Sequence, residues 1–149
     1  MLSEILAELY ERDLNKLKSE IEQYADEADV WTVTGDIANP AGVLCLHIAG
    51  NLRHFFGSVL GGTDYVRDRD AEFASRGIAR NELLAEVDAA LADVKATLGK
   101  LSDDDFDKTY PLEVFGKPMK TGYFLAHLTT HLNYHLGQIN YHRRLVGKS

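Results

Sequence analysis

Four stretches of the chain set apolar residues three and four positions apart, and each predicts an amphipathic helix. From about Ser3 to Tyr24, Leu6, Leu9, Leu14, Leu17 and Ile21 approximate one buried stripe, with Ser3 as its N-cap. A linker holding Trp31 and Gly35 follows and ends at Asn39-Pro40, a capping side chain ahead of a proline suited to a first helical turn. The second helix runs on through Leu44, Ile48, Leu52, Phe55 and Val59, and Gly61-Gly62 supply the permissive backbone that ends it. The third, through Leu84, Val87, Leu91, Val94, Leu98 and Leu101, alternates three- and four-residue steps as a bundle seam does. The fourth runs from Phe124 to Leu145, capped by Thr121, with Leu125, Leu128, Leu132, Leu136 and Ile139 as its stripe. Two segments lack a period. Thr63 to Arg80 is polar and charged and reads as a long connection. Ser102 to Lys120 begins acidic, then sets Pro111, Gly116 and Pro118 around Leu112, Val114 and Phe115, which predicts a short irregular hairpin or loop before the last helix. Without sustained period-two alternation, the expectation is an all-α four-helix bundle, with any strand confined to 111–120.

Composition narrows the function classes. At 149 residues the chain is expected to be one domain over 1–149, long enough to bury a core without disulfides or a structural metal. A metal in such a domain would serve function before folding. The single cysteine, Cys45, has no partner within the chain, and the first residues lack the basic-then-apolar pattern of a signal segment, so the expected location is cytoplasmic. No apolar run is expected to approach the roughly 20 residues that span a bilayer, which argues against a membrane role. With 23 acidic and 16 basic residues the net charge is -7, which opposes attraction to phosphate backbones and argues against a nucleic-acid partner.

The candidate chemistry lies in the histidines. Four of the six, His127, His131, His135 and His142, fall on the fourth helix, and steps of four and seven keep them within one arc of its surface. His47 and His54 are seven apart on the second helix. A helical wheel puts His135 at the margin of the leucine stripe and His131 just beyond it, so both should face the interior or a cleft. Imidazoles at i and i+4 can reach one ion, and His47, between Leu44 and Ile48, is the best candidate for a third ligand because its neighbours turn it inward. Three histidines without a fourth protein ligand describe an open site, where water or substrate takes the free position. The plainer alternative is that a histidine on an apolar face is a hydrogen-bonded core residue, and it stands for His47, His54 and His142 taken singly. His127 lies further from the stripe and reads as supporting or surface. Cys45 reads as a small buried apolar residue. Neither HExxH nor a Glu-x-x-His pair is present, which weakens metalloprotease and ferritin-like readings.

Two segments then carry a family resemblance. "LCLHIAGNLRHFFGSVLGG" and "FLAHLTTHLNYHLGQINYHRRLVG", the latter with its "YHLGQI" ending, resemble the DinB-like (DinB/YfiT-like) proteins over nearly the whole chain, to Gly147. That resemblance implies a four-helix bundle whose divalent-metal site takes one histidine from the second helix and an HxxxH pair from the fourth, here His47, His131 and His135. It implies a homodimer, and a metal-dependent transferase acting through a low-molecular-weight thiol, or a hydrolase. The contrasting expectation is a non-catalytic, stress-associated, metal-binding dimer. Imidazole suits zinc, nickel, copper and iron, with zinc or nickel expected here. Asn51, one turn beyond His47, and Tyr134 and Gln138, beside His135, are candidates for orienting the ligands or touching a small-molecule substrate, with ordinary interhelical hydrogen bonding as the alternative. Arg53 could bind an anion or form a surface ion pair.

Overall fold

The first helix, α1 (Leu2–Glu22), buries Leu6, Tyr10, Leu14, Leu17 and Ile21, a stripe with steps of four, four, three and four. Tyr10 takes the place expected of Leu9, which is half-buried, because its ring packs edge-on against Phe56 and its hydroxyl donates to Leu125 O at 2.6 Å. Met1 caps this helix, and Ser3 lies inside it.

The computed structural model describes residues 1–146, so Gly147, the end of the last motif, lies outside the described residues. Among the described residues the protein is all-helical and has no strand. After a 3-10 turn at Glu27–Trp31 come α2 (Ala41–Leu52), a π-helix (Arg53–Leu60) that continues it, α3 (Arg69–Ala74), α4 (Arg80–Leu98), α5 (Asp103–Asp107) and α6 (Thr121–Val146). α1 packs on α4 and α6, and α2 packs on the same two, while α3 covers α2 and α5 covers α6.

Several boundaries differ from the sequence expectation, each for a local reason. Pro40 rather than Asn39 is the N-cap of α2, and no side chain caps that end. Past Leu52 the helix widens. There the carbonyls of Phe55 and Phe56 also accept hydrogen bonds from Tyr110 Oη (2.7 Å) and Thr97 Oγ1 (2.9 Å), and side chains competing for carbonyls in this way favour a wider turn. The wide turn ends at Gly61, followed by Gly62 at φ +69°, a conformation that glycine alone adopts cheaply. On α4 Val87, Val94 and Leu98 are buried as the pattern predicts, but Leu83 and Ala90 take the core places expected of Leu84 and Leu91, which are only half-buried. The supposed connection from Thr63 to Arg80 contains α3, capped by Asp68 through a bond from Ala71 N at 3.1 Å. The hairpin before α6 reduces to one bridge, Thr109 to Lys120, and Thr121 is the first residue of α6 and not its cap.

One segment, Ala41–Leu60, has the length and, at a mean hydropathy of 1.2, the composition to cross a membrane, contrary to the expectation that no run approaches that size. Two-thirds (67%) of its apolar window is buried inside the protein, so its hydrophobicity is that of a core helix.

A line of polar contacts fixes α1 against α6. Asp13 accepts from Asn133 Nδ2 at 3.1 Å, Glu20 from Asn140 Nδ2 at 2.8 Å and Arg143 Nε at 2.7 Å, and Tyr24 bonds His142 at 2.6 Å. Burial opposes the charge on Glu20, but the hydrogen bonds from Arg143 and Asn140 prevail and hold its pKa below the ordinary 4.5. A carboxylate with a lowered folded pKa stabilises fully above its unfolded pKa, and that contribution is lost as pH falls through the folded value. Glu20→Gln should therefore cost about 2 kcal/mol at pH 7, since bonds between charged groups are removed. The gap from wild type should narrow as pH is lowered from 7 past the ordinary carboxylate range, and close at an acid pH below the lowered folded pKa, where the carboxylate is neutral. Urea unfolding of both proteins at the two pH values checks this.

Candidate metal centre

α2 supplies His47 and α6 supplies His131 and His135, whose separation of four residues stacks them on one side of the helix. Because α2 packs directly on α6, the three rings meet: one ring nitrogen of each lies within 4.8 Å of the others. His131 Nε2 is 3.1 Å from His47 Nε2 and 3.2 Å from His135 Nε2. His47 is buried and the other two are half-buried.

The outer nitrogens settle what the inner ones can do. His47 Nδ1–H donates to Glu72 Oε1 at 3.1 Å, and His135 Nδ1–H donates to Gln138 Oε1 at 2.7 Å. A neutral imidazole has one N–H and one lone pair, so both Nε2 atoms present lone pairs, and both face His131 Nε2. That atom carries at most one hydrogen, which leaves at least one lone pair unanswered. The His131 and His135 rings are held neutral: burial and then the neighbouring imidazoles push the His131 pKa down to about 4, and burial also lowers that of His135 despite its bond to Gln138. Nitrogens bound tetrahedrally at about 2.0–2.1 Å from one ion are about 3.3 Å apart, close to the two spacings found here. The donor set therefore fits a divalent metal.

Sequence reasoning missed the group that holds His47. Glu72, on α3, is buried and accepts from His47 Nδ1, from Arg67 Nε at 2.9 Å and from Arg67 Nη2 at 3.0 Å. Arg67 Nη2 is also 3.3 Å from His47 Nδ1, but an Nδ1 whose hydrogen goes to Glu72, which as a carboxylate can only accept, has no lone pair for Arg67, and the shorter Nη2 contact to Glu72 Oε1 is the hydrogen bond. Burial works against the Glu72 carboxylate, and the bonds from His47 and Arg67 outweigh it and lower its pKa. A carboxylate behind a ligating imidazole fixes its tautomer and raises its basicity. The carboxylate reaches this place over Gly50, where a methyl group would overlap Glu72 Oε2 and come within 2.7 Å of Cδ.

Two cavities border the cluster. One, about 400 Å³, touches His135 and is lined by Asp36, Asn39, Leu44, Gln138 and Tyr141. The other, about 310 Å³, touches His47 and His131 and is lined by Asn51, Arg67, Arg69 and His127 among aromatic residues. With this geometry in hand, comparison adds one finding: the profile of a family described as a protein of unknown function, DUF1572, matches residues 3–149. The chain belongs to the DUF1572 family. No curated protein matches it significantly.

In this DUF1572 protein the remaining candidates separate clearly. His54 is outside the cluster, its ring against Phe55. His142 is a structural residue: Nε2–H donates to Thr32 O at 2.8 Å, which leaves Nδ1 to accept from the Tyr24 hydroxyl. His127 packs between Phe115 and Phe124. Tyr134 is exposed, with its ring edge-on to His135. Asn51 is 7% exposed, and its Oδ1 has no hydrogen-bond partner among the described residues. Cys45 is buried, which pushes its thiol up to about 12 and keeps it from acting as a thiolate. Arg53 pairs with Glu86 and Asp93 at 3.3 and 3.4 Å.

Proposed function

We propose that His47, His131 and His135 hold one divalent ion, zinc or nickel, and that the protein is a metal-dependent enzyme of the DinB-like four-helix-bundle type, a low-molecular-weight-thiol S-transferase or a hydrolase. The observation that carries this reading is the convergence of three imidazole nitrogens, with the far nitrogens of two of the rings bonded to Glu72 and Gln138, between two open cavities. A metal with three protein ligands lowers the pKa of water or thiol at its free position and so supplies a nucleophile near neutral pH.

The chain's own residues do the rest. Glu72 and Arg67 keep the His47 ring in one tautomer and one orientation, and Gln138 does the same for His135. The cavities admit a small molecule to either side of the three rings, with Arg67, Asn51 and Gln138 as polar groups beside them. A vestigial site in a non-catalytic dimer would have no use for such access, and this favours the enzyme. A homodimer accompanies the reading through the DinB-like resemblance, and a cytoplasmic location through the single, unpaired cysteine.

Chelation tests it. Removing the metal should abolish thiol-transfer or ester turnover yet lower the thermal midpoint only slightly, because the apolar core does not depend on the site. Both are measured on one chelator-treated sample, before and after zinc or nickel is returned. Collapse of the fold on chelation would make the metal structural. A retained fold without metal-dependent turnover across a broad thiol and ester panel would favour the non-catalytic dimer.

A further inference from the structure

The cavity beside His47 and His131 has a basic lining. The chain carries 23 acidic residues and a net charge of -7, yet no carboxylate lines this cavity, while Arg67 and Arg69 do. Arg67 spends Nε and Nη2 on Glu72 and keeps Nη1 without a protein partner among the described residues. Arg69 has no ion pair there either, and its guanidinium lies 5.0 Å from the Phe73 ring centroid. The Asn51 side chain, more than nine-tenths buried, lines the same cavity, and its Oδ1, an acceptor, has no partner among the described residues. A buried polar atom without a partner costs about 1–3 kcal/mol, and such atoms in native proteins are generally met by a ligand or water. The same lining includes the apolar side chains of Phe55, Phe124 and Leu128.

We infer that this cavity binds the substrate as a small organic acid, its carboxylate held by Arg67 Nη1 and Arg69 and its apolar body against Phe55, Phe124 and Leu128, with Asn51 Oδ1 left to accept from a donor on the ligand or from a water beside it. This deepens the proposed function and rests on it only for the claim that the ligand is a substrate. Arginine is suited to the role because its planar fork matches a carboxylate, and a half-enclosed wall strengthens the attraction over that in open water. The two cavities then divide the work, with the acid on the His47–His131 side and the cavity at His135 left for a second reactant.

The test uses 3-phenylpropanoate and its neutral amide as probes, titrated by NMR into the metal-free and zinc-loaded full-length protein. The metal-free protein should bind the acid at least about tenfold more tightly than the amide, with the Asn51 side-chain amide signals shifting on binding. Arg69→Gln should remove that preference and leave zinc stoichiometry and the circular dichroism spectrum unchanged, whereas Arg69→Lys should keep part of it. Equal binding of acid and amide, or an undiminished preference in Arg69→Gln, overturns the inference. The metal reading fails separately: a protein that prefers the acid but retains no zinc supports the cavity and refutes the metal, and one that retains zinc without the preference does the reverse.

Discussion

Replacing His131 with alanine is expected to abolish stoichiometric zinc or nickel binding and to leave the helical fold in place. His131 Nε2 is the nitrogen that both other ligands face, at 3.1 and 3.2 Å, so its removal opens the centre of the cluster. Loss of outer partners typically costs 10–100-fold in metal affinity, and loss of a ligand itself should cost at least about 100-fold. The fold should lose no more than about 1 kcal/mol, since the ring is half-buried and bonds only to other histidines. His135→Ala should behave alike. His54→Ala should bind metal as wild type does. His142→Ala should also bind metal, but should lose about 1–3 kcal/mol of stability, because Tyr24 and Thr32 O lose their partner inside the protein. Competition titration with a chromogenic chelator, beside urea unfolding, separates these cases.

The second large effect is expected at a residue that touches no metal. Gly50→Ala puts a methyl group into the space that the Glu72 carboxylate occupies, and α2 is too tightly packed there to yield. Glu72 must then withdraw from His47 Nδ1, which frees the ring to rotate or change tautomer. The expected result is a 10–100-fold loss of metal affinity, together with about 1–3 kcal/mol of overpacking. Glu72→Gln leaves the space unchanged but removes the charge that holds Arg67, and should weaken metal binding over the same range. A Gly50→Ala protein with wild-type metal affinity would show that Glu72 does not position His47.

How much of this the sequence discloses depends on where each signal resides. The HxxxH pair is legible because it lies within one helix, where four residues make one turn, and His47 is legible because leucine and isoleucine flank it. Glu72 is not. α3 has six residues and buries only that one, a charged side chain where a hydrophobic pattern looks for an apolar one. Its burial is made tolerable by Arg67, five residues before it, and His47, twenty-five before it, and only the fold brings the three together. The combination of Asp68 as a cap and Gly50 as a gap in an apolar helix was the available clue. The exchange of Leu84 for Leu83 on α4 has a similar cause, since the two are equivalent in pattern and the packing against α1 and α2 chooses between them. The π-helix was invisible for another reason. Phe55, Phe56 and Val59 satisfy an apolar face in either winding, and the hydroxyls that favour the wider one belong to Thr97 and Tyr110.

The central claim is that three histidine nitrogens hold one metal ion, and zinc-edge X-ray absorption on protein loaded with one equivalent of zinc and then gel-filtered tests it most directly. The account predicts retained zinc with three imidazole nitrogens at about 2.0–2.1 Å and only lighter oxygen or solvent scattering besides. Zinc lost on the column, or zinc held without an imidazole signature, would contradict it.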